Sequence, residues 1–364
     1  MIDPMRIGGF LLFLSHGPSH TPTMLTTELI ERVLSTISGR TIGVLGDLFL
    51  DRYLDIDPAL NEPSVETGLT AYQVTRVRSY PGAAGTVINN LAALGVGRIH
   101  PIAVIGDDGE GYELRQALRQ LPAVDQGGIV IAPNRRTPTY TKPMLGKEEL
   151  NRMDIKNRVP NPPDLQEHVI ELLDEAWPQL DALLVLDQVS EEDCGVVTKR
   201  VRDRLAELGA RNPDKFVLAD SRERIREFAN VCVKPNEREC YVQDCGPAGD
   251  DLAIGPYCLI MSCRRSIFCT GGERGIWLFE PDREHPQIPA CHVPAYPVSG
   301  PIDIVGAGDS CSAGIAAAMV SGLTHEEAAA FGNLVASITI QQIGVTGTAT
   351  PDQVRARWRE VSGG

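Results

Sequence analysis

Gly306-Ala307-Gly308-Asp309 is the segment of this chain whose residue types are best suited to chemistry. It leads into a run of small residues, Ser310 to Met319, with helical character. Glycine and alanine directly before a helix let successive backbone N–H groups converge without Cβ obstruction, at the helix end that favours negative charge. Such a turn binds an anion, and Asp309 sets a carboxylate beside it. That carboxylate can accept the proton of an attacking hydroxyl while the N–H groups stabilise charge on a transferred phosphoryl group. The tetrapeptide alone also fits an ordinary N-capped helix after a glycine turn. A dinucleotide fingerprint fits less well: Cys311 stands where its third glycine belongs, and Val293 to Pro301 is too proline-rich for a buried strand. No G-x-x-x-x-G-K-[ST] segment occurs, which argues against a P-loop.

The elements that must position this turn follow from hydrophobic patterning. Short apolar runs of strand type recur at Thr41 to Leu45, Ile99 to Ile105, Ala182 to Leu186, Phe216 to Ala219 and Ile267 to Thr270. Helical patterns lie between several of them, at Ala83 to Leu94, Tyr112 to Leu121, Leu165 to Ala176 and Val196 to Leu208. This alternation predicts a mostly parallel sheet covered on both faces, with ligands beyond the carboxyl ends of its strands. Ala71 to Tyr80 and Thr137 to Met144 break the rhythm and read as exposed antiparallel strands of a small lid, within stretches near 64–80 and 129–155, or as plain surface loops. Near the end, Ser310 to Val320 and His325 to Ile340 read as helices parted by Ser321-Gly322-Leu323.

Composition limits the partners. In 364 residues, 34 Lys plus Arg oppose 48 Asp plus Glu, a net charge of −14 that repels nucleic acid and anionic membrane, and no basic patch offsets it. Bound phosphate must therefore be held by a local device. Nine cysteines, an odd number with no C-x-x-C pair, read as buried reduced thiols of a cytoplasmic protein. The gaps among Cys240, Cys245, Cys258, Cys263 and Cys269 do not fit a zinc knuckle. Ile7 to Leu14 is too short an apolar run to span a membrane, and an amphipathic helix begins after Met24, so residues 1–23 are expected to be an extension, disordered or misassigned, before a domain over 24–358.

With these residues in view, IDIVGAGDSCSAG resembles the second signature of the ribokinase-like (PfkB) carbohydrate kinases. Other segments agree in order: GDLFLDRY (Gly46 to Tyr53), YPGAAGTVINNLAALG (Tyr80 to Gly95), KPNEREC (Lys234 to Cys240) and CTGGERG (Cys269 to Gly275). Within the family, GD-x-x-LDRY, ELNRMD (Glu149 to Asp154) and VTGTATP (Val345 to Pro351) are most similar to bacterial heptose-7-phosphate kinases. The resemblance implies a three-layer α/β/α fold with a mostly parallel central sheet and a small β lid. It implies transfer of the γ-phosphoryl group of ATP, with Mg²⁺, to a hydroxyl of a sugar or sugar phosphate. A kinase of a nucleoside or other small alcohol, or a non-catalytic sugar- or nucleotide-binding relative, fits the same fold.

Carried over residue by residue, the resemblance makes Asp309 the base and the N–H groups of Ala307, Gly308 and Asp309 the anion hole, with Gly306 in the same catalytic turn. Asn236 and Glu239 organise Mg²⁺ through water and the ATP phosphates, while Thr270, Gly272, Gly275 and Asn333 line the nucleotide. On spacing alone, Asn236 and Glu239 also fit a helix cap. Asp303 belongs to the loop that binds a monovalent cation such as K⁺ in many relatives. For the sugar, Asp51, Gly82, Ala83, Thr86 and Asn90 are implied, although Asp51 with Arg52 reads more simply as a solvated loop pair. Lys142 and Arg152 are expected to meet a phosphate already on the acceptor, or to be exposed cations without partners. An exposed lid edge makes a homodimer the expected state. Three departures stand out: Gly82-Ala83 replaces paired glycines with Thr86 for a sugar-binding Asn, Val305 replaces Thr, and DQVSEEDCG (Asp187 to Gly195) replaces a Gly-Lys-Gly loop.

Overall fold

The computed structural model describes residues 24–241, 254–281, 283, 285, 288–344 and 346–363; the expected extension over 1–23 and Cys245 lie outside them. The first strands in chain order are Thr41–Gly46 (β1), Leu48–Ile56 (β2), Glu62–Pro63 (β3), Thr70–Ala71 (β4), Val74–Ala83 (β5), Arg98–Gly106 (β6), Ile129–Ala132 (β7) and Thr139–Leu145 (β8). Then come Glu148–Glu149 (β9), Met153–Ile155 (β10), Ala182–Asp187 (β11), Phe216–Ser221 (β12), Cys232–Val233 (β13), Ile267–Thr270 (β14), Ile276–Phe279 (β15) and Cys291–Val293 (β16). The helices are Thr27–Thr36 (α1), Ala84–Leu94 (α2), Gly109–Arg119 (α3), Pro163–Ala176 (α4), Lys199–Arg211 (α5), Glu237–Tyr241 (α6), Ile254–Cys263 (α7), Ala307–Val320 (α8), His325–Thr339 (α9) and Pro351–Ser362 (α10).

Nine strands form the central sheet in the order β16-β15-β14-β13-β12-β11-β1-β6-β7. From β14 to β7 every neighbour is parallel, and β15 and β16 close one edge antiparallel. Strand β11, ALLVLD, is buried at all its positions, as a strand covered on both faces must be. One face is covered by a core drawn from α1, α2, α3, α8, α9 and α10, the other by apolar side chains of α4, α5 and α7. This is the expected three-layer α/β/α arrangement. Local chemistry sets the helix starts. Thr26 and Thr198 cap α1 and α5, and Thr324/Glu327 and Thr350/Gln353 close reciprocal caps on α9 and α10. The Thr198 cap delays α5 to Lys199, three residues after the patterned start at Val196.

The lid is a second sheet of five strands, β10-β8-β2-β5 with β9 on β8. Two expectations change here. Strand β8 pairs with β2 in parallel rather than antiparallel, because both leave the central sheet in the same direction. Ile129–Ala132, placed in the lid stretch by sequence, instead forms the edge strand β7 beside β6 in the central sheet. Asp51 lies within β2, not in a loop: register sets it opposite Tyr80 on β5 and Tyr140 on β8.

Candidate active site

Seven parallel strands deliver their carboxyl ends to one rim, and the chemistry-bearing residues stand there. Asp220 ends β12 beside Ser221, Lys234 follows β13, and Thr270 ends β14. Helix α8 starts above them. Gly306 holds the left-handed φ of 78° that this entry turn needs, and a Cβ there would stand 2.7 Å from Thr346 Cγ2 and 3.3 Å from Thr86 Cγ2. The Ala307 N–H donates to the Ile304 carbonyl at 3.1 Å, whereas no acceptor among the described residues takes the N–H of Gly308 or Asp309. The anion turn is thus narrower than the expected three donors, and its two free N–H groups lie at a helix end.

Asp309 shows some surface to the cleft yet is deeply enclosed by protein. Burial pushes its carboxyl up to about 7; Asp220 adds to the rise, and Lys234 and Arg222 oppose it. Lys234 is 3% exposed, and its Nζ lies 2.7 Å from Asp220 Oδ2 and 3.6 Å from where a Cβ on Gly308 would stand. Burial works against the Lys234 charge, but Asp220 outweighs it and the pKa is raised. A fixed cation therefore borders the anion turn. Sequence reasoning gave Lys234 and Asp220 no role, although a charged residue directly after a buried apolar strand was a readable signal.

Asn236 and Glu239 bond reciprocally: the Asn236 N–H donates to Glu239 Oε2 at 2.7 Å and the Glu239 N–H to Asn236 Oδ1 at 2.9 Å. They cap α6, so the cap geometry is present. Burial raises the Glu239 pKa, opposed by the Asn236 N–H and aided by Asp220. Thr270 anchors the same corner, its N–H donating to the Pro235 carbonyl at 2.9 Å. Gly272 and Gly275 follow in a 3-10 turn with φ of 60° and 89°. Asn333 is buried and donates to the Val293 and Pro294 carbonyls, both at 3.1 Å, so it shapes the strand beside this turn from behind. Asp303 accepts the N–H groups of Val305 and Gly344, tying the approach to α8 to the turn after α9.

On the lid side, Asp51 packs its carboxylate against the Cα of Gly82, where a Cβ would stand 3.0 Å from Asp51 Cγ. Lys142 Nζ sits 3.3 Å from Asp51 Oδ1 and donates to the Tyr53 hydroxyl at 3.1 Å. Burial disfavours the charge on Lys142, but Asp51 and Tyr53 outweigh it and raise its pKa. Arg152 pairs with Asp154 at 2.7 and 2.9 Å and stacks 4.1 Å over Tyr140. Both expected phosphate-binding cations are thus engaged within the lid. Asn90 is fully buried, its amide donating to Thr86 within α2, which keeps it off the cleft surface. Asp47, directly after β1, accepts the N–H groups of Gln188, Val189 and Val196 at 3.0, 3.2 and 2.7 Å. Burial lifts its pKa to about 6, against the Val196 bond, and it pins the unusual loop after β11 to the site.

Comparison with known proteins accords with this geometry. A family profile described as pfkB family carbohydrate kinase matches residues 49–353. The chain therefore belongs to the pfkB family of carbohydrate kinases. Bifunctional protein HldE of Gluconobacter oxydans is 27% identical over 316 residues, covering 86% of this chain and 63% of that protein. The HldE of Caulobacter sp. is 29% identical over 335 residues, covering 90% of this chain and 64% of the relative. The chain thus spans less than two thirds of the length of these relatives. Among solved structures, Arabidopsis thaliana ribokinase complexed with ribose and ATP aligns with a TM-score of 0.62 at 17% identity, over 87% of this chain and 98% of that one. Thermotoga maritima ribokinase aligns with a TM-score of 0.63 at 17% identity, over 88% and 99%.

Proposed function

We propose that this protein is an ATP-dependent kinase that phosphorylates a hydroxyl group of a sugar or sugar phosphate. The observation that carries the reading is Asp309 at the head of α8, raised to about 7, beside the free N–H groups of Gly308 and Asp309 and the buried Lys234–Asp220 pair. In the reaction, Asp309 accepts the acceptor's hydroxyl proton, the oxygen forms a bond to the γ-phosphorus, and the bond from that phosphorus to the bridging oxygen breaks to release ADP. The Gly308 and Asp309 N–H groups and the Lys234 ammonium face the charge that develops on the transferred group. Asp51, held by Lys142 against Gly82, accepts hydrogen bonds from sugar hydroxyls.

The donor set suits an ion that arrives with phosphates rather than one caged by protein, because no three His, Cys, Asp or Glu side chains among the described residues converge to hold a metal. Asn236 and Glu239 would hold Mg²⁺ through water, and the ion supplies charge neutralisation between the phosphates. Among the described residues no helix is long and apolar enough to cross a membrane. Among the described residues eight cysteines form no disulfide, six of them buried, and this favours a reducing compartment such as the cytoplasm. Exposed Val74 and Val77 lie on β5, which among the described residues pairs only with β2, and this favours a homodimer joined through the lids. Turnover of ATP against a panel of sugars, sugar phosphates and nucleosides tests the reading; ADP release with nucleosides alone would move the acceptor class, and none with any acceptor would overturn it.

A further inference from the structure

At the amino ends of the central strands, on the far side of the sheet from the catalytic rim, lies a cavity of about 480 Å³, a volume that suits a small organic ligand. Its floor is built from the starts of β12 and β13 and the residue before β14: Phe216, Val217, Cys232 and Ser266 are all buried. Met319, near the end of α8, and His325, the first residue of α9, close one side. His325 Nδ1 lies 3.1 Å from the Ser266 hydroxyl, and among the described residues its Nε2 has no hydrogen-bond partner.

The rim is basic. Lys215, Arg264, Arg265 and Arg283 line it against two acids, Asp214 and Glu280. Glu280 lies 3.8 Å from His325, and Lys215 donates to the Leu180 carbonyl at 2.7 Å. Among the described residues neither Arg264 nor Arg265 forms an ion pair; Arg265 donates to the Gly209 carbonyl at 3.2 Å. Arginines elsewhere, such as Arg78, Arg204 and Arg355, close on carboxylates. Arg264 also stands where arginine costs stability: it follows α7 with φ 54°, in the left-handed region that favours glycine, its N–H donating to the Ile260 carbonyl at 2.8 Å. A strained arginine without a carboxylate partner, at the mouth of a cavity in a chain of net charge −14, points to an anion as ligand, and the buried floor beneath it to an apolar body on that anion.

The elements that start or end at this cavity carry the candidate active site at their other ends. Strand β12 runs from Phe216 to Asp220 and Ser221, β13 from Cys232 to the residue before Lys234, β14 from Ile267 to Thr270, and α8 from Asp309 to Met319. Along α8 the two sites are about 15 Å apart. A ligand that moves the end of α8 against the starts of these strands changes how Asp309, Lys234 and Thr270 stand to one another, and so how the rim holds a nucleotide. We propose that this cavity is an effector site for a small organic anion with an apolar body, coupled to nucleotide binding at the catalytic rim.

The test uses the full chain and calorimetry, with phenyl phosphate, benzoate, inorganic phosphate and benzyl alcohol as probes. Phenyl phosphate or benzoate should bind more tightly than inorganic phosphate or benzyl alcohol, and the tighter of the two identifies the anion. Arg264→Gly relieves the left-handed φ and so keeps the fold; it should weaken binding about tenfold, and together with Arg265→Gln about a hundredfold, as loss of one and two charge-assisted hydrogen bonds requires. The bound probe should shift the Kd for Mg-ADP about fivefold or more in the wild type and leave it unchanged in the double variant, whose Kd for Mg-ADP without probe matches the wild type. Probe binding is measured without nucleotide, so it can be decided even if the kinase reading fails. Inorganic phosphate binding as tightly as phenyl phosphate and benzoate, undiminished binding by the double variant, or a bound probe that leaves the Kd for Mg-ADP unaltered would each overturn the effector site while leaving the kinase reading intact.

Discussion

Ala83 offers a measurement of stored backbone strain. It enters α2 with φ 54° and ψ −119°, a region that an L-residue with a Cβ rarely adopts. The surroundings hold it there: Ala83 pairs with Leu48 in the lid, and the next N–H, Ala84, donates to the Asp47 carbonyl at 3.0 Å. Such a conformation costs about 1–3 kcal/mol in a non-glycine residue. Glycine would remove that cost but lose roughly 0.5–1 kcal/mol through its freer unfolded state. Ala83→Gly should therefore stabilise the protein by about 1 kcal/mol. Urea unfolding of the ligand-free protein reads this as a higher midpoint at unchanged slope. Ala92→Gly, later in the same helix, is the control and should cost about 1 kcal/mol. If Ala83→Gly destabilises as much as Ala92→Gly, the turn carries no strain and the account of this departure from paired glycines is wrong.

Four further outcomes are expected. Gly82→Ala forces the Asp51 carboxylate away from its seat and from Lys142, raising the acceptor KM about tenfold or more while the KM for ATP barely moves in steady-state assays. The acceptor kcat/KM should fall on the acid side of about pH 7, because Asp309 must be ionised to take a proton. Its folded pKa lies above the unfolded value near 3.9, so its stabilising contribution is complete below about pH 4 and lost as pH rises through 7; Asp309→Asn should melt above wild type at pH 8, by a margin that narrows toward pH 5. Asn333→Ala removes two buried hydrogen bonds to Val293 and Pro294 and should cost about 1–3 kcal/mol by denaturant unfolding.

Much of the scaffold was legible because it rests on patterns that act locally. The apolar runs at Ala182 and Phe216 could only be doubly covered strands, and the Gly306 turn before a small-residue helix needed no distant partner to be recognised. What escaped depends on partners far along the chain. The direction of β8 is set by pairing with β2 across nearly ninety residues. Short strands such as β13, of two residues, and β16, of three, carry too little periodicity to announce themselves. At the site, KPNEREC was legible as a motif, but the Lys234–Asp220 pair appears only when β12 and β13 lie side by side. Lys142 read as an available cation because Asp51 becomes its partner only when β8 lies beside β2, whereas the partner of Arg152, Asp154, stands two residues on and was within reach of the sequence.

The central claim is that Asp309 acts as the base of a phosphoryl transfer, and the most direct measurement is kcat for Asp309→Asn beside wild type, at saturating Mg-ATP and with the best acceptor. Asn keeps the size of the side chain and leaves the Gly308 and Asp309-position N–H groups in place, so fold and nucleotide binding should persist. kcat is expected to fall by ~10² to 10⁴ with the nucleotide Kd within a few-fold of wild type. A variant that retains more than about a tenth of the wild-type rate would contradict it, leaving the Asp309 side chain no more than a polar group at the start of α8.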